Sequence, residues 1–151
     1  MEKKMTLEYR HYDSLEAMPA DERELVEAAR KACQSAVAHF SHFHVGAAAR
    51  LESGRIIVGS NVESEVYPAG MCAERTLLFH HQATAPNDRI VALAIASDPG
   101  TNECYPCGQC RQILHDVEKR QELNYKVIMS SDHSATVVEK ATDLLPFTFA
   151  L

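Results

Sequence analysis

Arg89-Ile90-Val91-Ala92-Leu93-Ala94-Ile95-Ala96-Ser97 is apolar without a break from residue 90 to residue 96. A short run rich in Val, Ile and Ala reads as a strand. With no polar residue to face water, it is a strand buried on both faces. Such a strand needs a layer of structure above it and another below. Residues 107–120 follow at helical spacing, with Ile113, Leu114 and Val117 on one face. Lys126 to Ser130 and Ala135 to Val138 then read as strands. A strand, a helix and a further strand in sequence imply a crossover and a parallel pair. Upstream, residues 72–84 read as a helix. Val45 to Leu51 and Ile56 to Ser60 flank the turn signal Glu52-Ser53-Gly54-Arg55 and form a β-hairpin. Leu25, Val26, Ala29, Ala32, Cys33, Ala36 and Val37 predict a helix over 21–38, opened by an Asp21 and Glu24 capping box. Residues 1–18 read as an irregular or edge segment, with weak alternation from Thr6 to Tyr12. Ala141 to Leu145 read as a short terminal turn. The order is α, β-hairpin, α, β, α, β, β: an α/β chain in three layers, with about five strands in the central sheet.

The chain has 151 residues, of which 46% are apolar and 24% charged. That suits one compact domain over 1–151, with 1–18 as an N-terminal extension. The net charge of −6 argues against a nucleic-acid partner, which normally calls for a basic surface. No apolar run approaches the length of a membrane span. Met1 to Thr6 lacks the apolar stretch of a signal peptide. The five cysteines, an odd number without an export signal, point to a reducing compartment and a cytoplasmic protein rather than a disulfide framework.

Cysteines clustered in that setting suggest metal or catalysis. Cys107-Gly108-Gln109-Cys110 is a C-x-x-C at the start of a predicted helix, and Cys72 opens another. A helix N-terminus stabilises thiolate. Three thiolates around zinc leave a fourth position for water, and zinc makes that water acidic enough for a carboxylate such as Glu74 to deprotonate. Other readings stand beside this one. A C-x-x-C also serves as a redox dithiol or as half of a structural zinc site. Cys104-x-x-Cys107 offers a second spacing, so Cys72, Cys104, Cys107 and Cys110 could form a closed structural site. Cys33, on the apolar face of helix 21–38, reads as core.

Cys72-Ala73-Glu74-Arg75 with Pro106-Cys107-Gly108-Gln109-Cys110-Arg111-Gln112 resembles the cytidine deaminase family. A cysteine stands at position 72 where other branches carry histidine, as in the three-cysteine, single-domain, homotetrameric type acting on free nucleosides. Phe43-His44-Val45-Gly46-Ala47-Ala48, Asn61-Val62-Glu63, Tyr67 and Leu144-Leu145-Pro146 extend the likeness over roughly residues 20–150. It implies a cytidine deaminase-like α/β/α fold around a mixed sheet. It implies zinc on Cys72, Cys107 and Cys110, and hydrolysis of cytidine and deoxycytidine to the uridines with loss of ammonia, as in pyrimidine salvage. Glu74 would move protons between the attacking water, ring N3 and the departing amine. The Ala73 N–H would bind the pyrimidine carbonyl, and Arg75 would donate hydrogen bonds to the thiolates. Alternatives are a deaminase of another aminopyrimidine nucleoside or a nucleoside antibiotic, and a structural zinc module that binds a protein or nucleic acid.

The resemblance also implies roles for less distinctive residues. Asn61 and Glu63, two apart on an extended segment, would hold the ribose 3′-OH; alone they read as a solvated loop. Phe43 would pack on the pyrimidine ring, where core packing is the plainer reading. Tyr67 would reach a neighbouring subunit's sugar. Phe149 would close an adjacent subunit's site or else anchor the C-terminal tail. His39, His42 and His44, and the adjacent His80 and His81, match no ligand pattern and read as surface histidines. His39, Ser64-Glu65-Val66, Pro68-Ala69-Gly70 and Tyr105 depart from the family pattern and leave the nucleoside preference open.

Overall fold

In the computed structural model, which describes residues 1–151, the run that decides the architecture is a strand at the heart of one sheet. The elements are β1 (Arg10–Tyr12), α1 (Ala20–Ala32), β2 (His44–Leu51), β3 (Ile56–Ser60), α2 (Ala73–Thr84), β4 (Ile90–Asp98), α3 (Gly108–Gln121), β5 (Lys126–Ser130) and β6 (Ala135–Val138). Short 3₁₀ turns occupy Leu15–Ala17, Cys33–Ser35, Tyr67–Ala69 and Ala141–Leu144. The sheet order is β1-β6-β5-β4-β2-β3. β4 and β5 are parallel; the other pairs are antiparallel. No helix is long and apolar enough to cross a membrane.

The alternation along β4 sets the layers. Leu93 and Ile95 face α2 and α3, in a core with Leu77, Leu78, Leu114 and Val117. Ala92, Ala94 and Ala96 face α1, in a core with Leu25, Val26, Ala29 and Cys33. The bulky residues serve the two-helix face, and the alanines let the single helix lie close. The same division continues in β5, where Val127 and Met129 face one way and Ile128 the other.

Strand direction then places the helix ends. β2 is antiparallel to both β3 and β4, so β3 and β4 run the same way. The helices that follow them, α2 and α3, therefore begin at the same end of the sheet and on the same face. Close approach fixes α2 there. A Cβ on Gly59 would lie 2.8 Å from the Leu77 nitrogen and 2.9 Å from the Ala73 carbonyl oxygen, so only glycine lets the first turns of α2 sit down on β3.

Four features differ from the sequence expectations. The sheet has six strands rather than five: Arg10–Tyr12 pairs with β6, Arg10 opposite Val137 and Tyr12 opposite Ala135. The Arg10 guanidinium secures this edge with Glu22 at 2.8 Å and Glu139 at 2.6 Å, partners too distant in sequence to read from a three-residue strand. The capping box is absent. Pro19 is the N-cap of α1, and the Glu24 carboxylate accepts instead from Arg50 at 2.6 Å. α1 stops at Ala32 rather than running to residue 38, because Val37 leaves to bridge Val62, with Val37 N–H donating to the Asn61 carbonyl at 2.9 Å. His81 is buried rather than exposed. Its Nε2 bonds the Asp88 carbonyl at 2.8 Å and its Nδ1 meets Gln82 at 3.0 Å, pinning the turn between α2 and β4. Cys33 is buried core, as expected.

Gly59→Ala tests the close approach. Overpacking of this kind costs about 1–3 kcal/mol. A domain of this size loses roughly 2–4 °C of Tm per kcal/mol, so a thermal scan should show a drop of several degrees, and an unchanged Tm would show that α2 has room to spare.

Candidate active site

Two cysteines stand at the N-caps of the two converging helices. Cys72 caps α2 and Cys107 caps α3, and Cys110 lies one turn into α3. The first N–H groups of a helix lack main-chain partners and carry partial positive charge. Cys107 Sγ accepts one of them, from Cys110, at 3.5 Å. Cys72 makes no capping hydrogen bond along its own helix. Its sulfur instead lies 3.9 Å from Cys107 Sγ and accepts from Arg75 Nη2 at 3.4 Å. All three sulfurs lie within 4.8 Å of one another.

Those distances suit a metal. Zinc–thiolate bonds of about 2.3 Å at tetrahedral angles place sulfurs about 3.8 Å apart, and an all-sulfur donor set favours zinc over hard cations. The electrostatics favour thiolate at Cys72. Hydrogen bonding with Cys110 and the Arg75 guanidinium pull its thiol down to about 5, while contact with Cys72 and burial push Cys110 up. Cys104 is not part of the group. Its thiol packs against the larger core, where burial pushes it up to about 12. The four-cysteine alternative is therefore corrected to a three-cysteine cluster. All five cysteines are free.

Glu74 follows the Cys72 cap by two residues and turns into the protein. It is 3% exposed. Burial pushes its carboxyl up to about 7, with the thiols of Cys72 and Cys110 beside it. Ala73, wholly buried, opens the helix between them.

A cleft of about 370 Å³ opens beside the cluster, lined by Phe40, Ser41, Asn61, Val62, Glu63, Ser64, Tyr67, Gly70, Met71, Cys72 and Arg75. Asn61 and Glu63 face the same way, as their spacing predicts, but they are not a merely solvated loop. Asn61 Oδ1 accepts from Val45 N–H at 2.8 Å and Nδ2 donates to the Phe43 carbonyl at 3.0 Å. Glu63 Oε1 accepts from the N–H groups of Phe40 and Ser41 at 3.0 and 3.1 Å. Hydrogen bonds from Ser41 hold its carboxyl below the usual carboxylate range. Together they tie the 40–45 segment to the cleft wall.

Cys72, Arg75, Asn61, Glu63 and Tyr67 thus meet at one opening. Two expected residues, Phe43 and Phe149, stand apart, and Tyr67 reaches only the rim. Phe43 is 40% exposed and outside the cleft lining, so it is neither core nor wall here; Phe40 takes the wall position. Tyr67, 91% exposed, lines the rim. Phe149 is 71% exposed and does not anchor the tail in the chain's own core. His39 and His42 are exposed, in keeping with their reading as surface residues. Sequence reasoning passed over Phe40; the twice-repeated His-Phe pattern of residues 39–44 was the available signal.

The family model for the cytidine and deoxycytidylate deaminase zinc-binding region matches residues 19–125. The chain belongs to the cytidine and deoxycytidylate deaminase family. It is a hydrolytic enzyme. Among curated members, a cytidine deaminase of Halalkalibacterium halodurans is 33% identical over 85% of this chain and 94% of its own length. One of Sporosarcina psychrophila is 34% identical over 86% and 92%. A crystal structure of cytidine deaminase from Burkholderia pseudomallei superposes with a TM-score of 0.75 at 33% identity, covering 87% of this chain and all of that one. The three-layer fold around a mixed sheet is that of the deaminase family.

Metal analysis checks the assignment of the cluster. The purified protein and Cys104→Ala should carry zinc stoichiometric with the chain, and Cys107→Ala should have lost it. Equal loss from both variants would restore the four-cysteine site.

Proposed function

We propose that this chain is a zinc-dependent cytidine deaminase that hydrolyses cytidine and 2′-deoxycytidine to uridine and 2′-deoxyuridine, serving pyrimidine salvage in the cytoplasm. The observation that carries this reading is the pairing of an open three-thiol cluster with a buried carboxylate, Glu74, beside a cleft of nucleoside size. A structural zinc module needs neither the carboxylate nor the cleft.

Cys72, Cys107 and Cys110 would hold the metal. Zinc, when bound, supplies a water acidic enough to ionise near neutrality. Glu74 then takes the proton of the attacking water and passes it to ring N3. Glu74 next takes the second proton, from the new C4 hydroxyl, and delivers it to the amine as the C4–N bond breaks, so that ammonia leaves, C4 keeps the oxygen as a carbonyl and N3 keeps its proton. Its burial shields this transfer from bulk water. The Ala73 N–H, at the free end of α2, would bind the pyrimidine carbonyl. Asn61 and Glu63 would present an amide and a carboxylate oxygen to the ribose 3′-OH. Each already accepts main-chain hydrogen bonds, so both are held in place before substrate arrives. Of the two aromatics in the 40–45 segment, Phe40 already lines the cleft and would pack against the base, the role the resemblance gave to Phe43. Arg75 donates to Cys72 and would offset the charge of three thiolates, which exceeds that of zinc.

The cleft is open at its rim, and Tyr67 and Phe149 project from the surface as large exposed aromatics. They are the residues to be supplied between subunits of a homotetramer. Light scattering should give the mass of a tetramer; a monomer with full activity would refute that assembly.

Mixing cytidine with purified protein should produce the ultraviolet change of conversion to uridine, and deoxycytidine should behave likewise. Glu74→Gln keeps the shape of the side chain and removes the base. It should retain zinc and fold yet lose about 10²–10⁴-fold in rate. A variant keeping a tenth of the parent's turnover would remove Glu74 from the role.

A further inference from the structure

We infer that Glu103 is a positioning residue for the metal centre, clamping the loop that delivers Cys107, and that the N-terminal extension acts on the centre through it. The inference rests on the cysteine cluster being a zinc site.

Between Asp98 and Gly108 the chain has no regular secondary structure, yet it must present the Cys107 sulfur at a fixed distance from Cys72. The Gly100 carbonyl accepts from Asp132 N–H at 2.8 Å at its start, and two more main-chain anchors lie nearer Cys107. Cys104 N–H donates to the Ser130 carbonyl at 3.0 Å, and Arg111 Nε donates to the Pro106 carbonyl at 2.9 Å. Tyr105, between them, shares no hydrogen bond with another main-chain group. Its hydroxyl donates to Glu103 Oε2 at 2.9 Å. The other carboxylate oxygen, Oε1, accepts from the Ser134 hydroxyl at 2.7 Å and lies 3.5 Å from His11 Nδ1. The same His11 nitrogen meets Thr136 at 3.0 Å.

The Glu103 side chain is 7% exposed. A carboxylate so buried is held by its partners, and its loss takes from the Tyr105 and Ser134 hydroxyls the one acceptor they share. Glu103 therefore joins three parts of the chain at one point: the loop running into Cys107, the turn between β5 and β6, and β1. Strand β1 lies outside the span matched by the family model. Its contact with Glu103 comes from the N-terminal extension, at the place where Tyr105 departs from the small hydroxyl residue that the family resemblance leads one to expect.

The test measures zinc release from the loaded protein into excess chelator. Partners outside the ligand set commonly alter metal affinity about 10–100-fold, so Glu103→Ala should release zinc about tenfold faster. Tyr105→Phe, which removes a single hydroxyl and keeps the ring, should move release in the same direction by less, and it carries the test if Glu103→Ala fails to fold. In cobalt-substituted protein both variants should shift the thiolate charge-transfer bands, which report sulfur geometry independently of turnover. Gln121→Ala is the stability control. It removes a buried clamp on the Ile90 main chain and should lower Tm while releasing zinc at the parent's rate. His11→Ala should speed release on its own but add nothing to Glu103→Ala, since coupled residues are not additive. Parent-like release and spectra in Glu103→Ala and Tyr105→Phe would overturn the inference, as would release in Gln121→Ala that rises as much as in Glu103→Ala. Fully additive effects of His11 and Glu103 would overturn the role of the extension. A parent protein that takes up no zinc would overturn the zinc reading itself, a result distinct from all of these.

Discussion

The active site depends on one topological constraint: β3 and β4 run in the same direction on either side of β2. Each feeds a helix on the same face of the sheet, so two helix N-termini meet at one end. Two sets of unpaired N–H groups and two positive dipole ends are thereby concentrated in one place. That is a poor site for apolar side chains and a good one for thiolates. The sequence places Cys72 and Cys107 at the caps and Cys110 a turn further on. The metal site follows from strand direction before any side chain outside the cluster is considered.

The rest of the fold serves to hold those two ends still. Gly59 lets α2 touch the sheet, and the bulky residues of β4 fill the space beneath α2 and α3. Glu118, buried on α3, accepts from the N–H groups of Tyr125, Ala141 and Thr142 at 3.2, 2.7 and 3.2 Å. It thereby fixes the last turn of the chain against the helix that carries two of the three cysteines. Arg111, one residue after Cys110, reaches both the Pro106 and the Leu144 carbonyls. The C-terminal segment and the metal loop are thus tied to a single side chain.

What could be read from the sequence was whatever rests on local pattern. The unbroken apolar run 90–96, the helices behind Cys72 and Cys107 and the hairpin around Gly54 all match the structure to within a residue or two, because periodicity and turn chemistry determine them. The cysteine cluster was legible for the same reason: helix starts are local, and two starts were marked by cysteine. The features that escaped depend on contacts across the chain. The edge segment showed as alternation from Thr6 to Tyr12, but its pairing as a sixth strand at Arg10–Tyr12 depends on Glu22 and Glu139 receiving Arg10. The end of α1 is set by Val62, not by any stop signal near residue 32. His81 is buried because the carbonyl of Asp88 comes to it. Phe40 rather than Phe43 lines the cleft because Glu63 and Asn61 hold the 40–45 segment by its main chain.

Cys104 shows why spacing alone could not choose the ligands. Cys104-x-x-Cys107 and Cys107-x-x-Cys110 are the same pattern, yet only the second straddles a helix start. Residue 107 is the cap, its sulfur accepting the Cys110 N–H, and residue 110 lies in the first turn, so both stand at the start of α3. Residue 104 comes three residues earlier, where the chain is still extended against β5 through its bond to Ser130. Its side chain faces the core, and there a thiol gains nothing by ionising. Moving a cysteine from the first pattern to the second changes no spacing. It changes whether the sulfur stands at the start of a helix beside Cys72 or against the core, and that decides which sulfurs gather into the cluster.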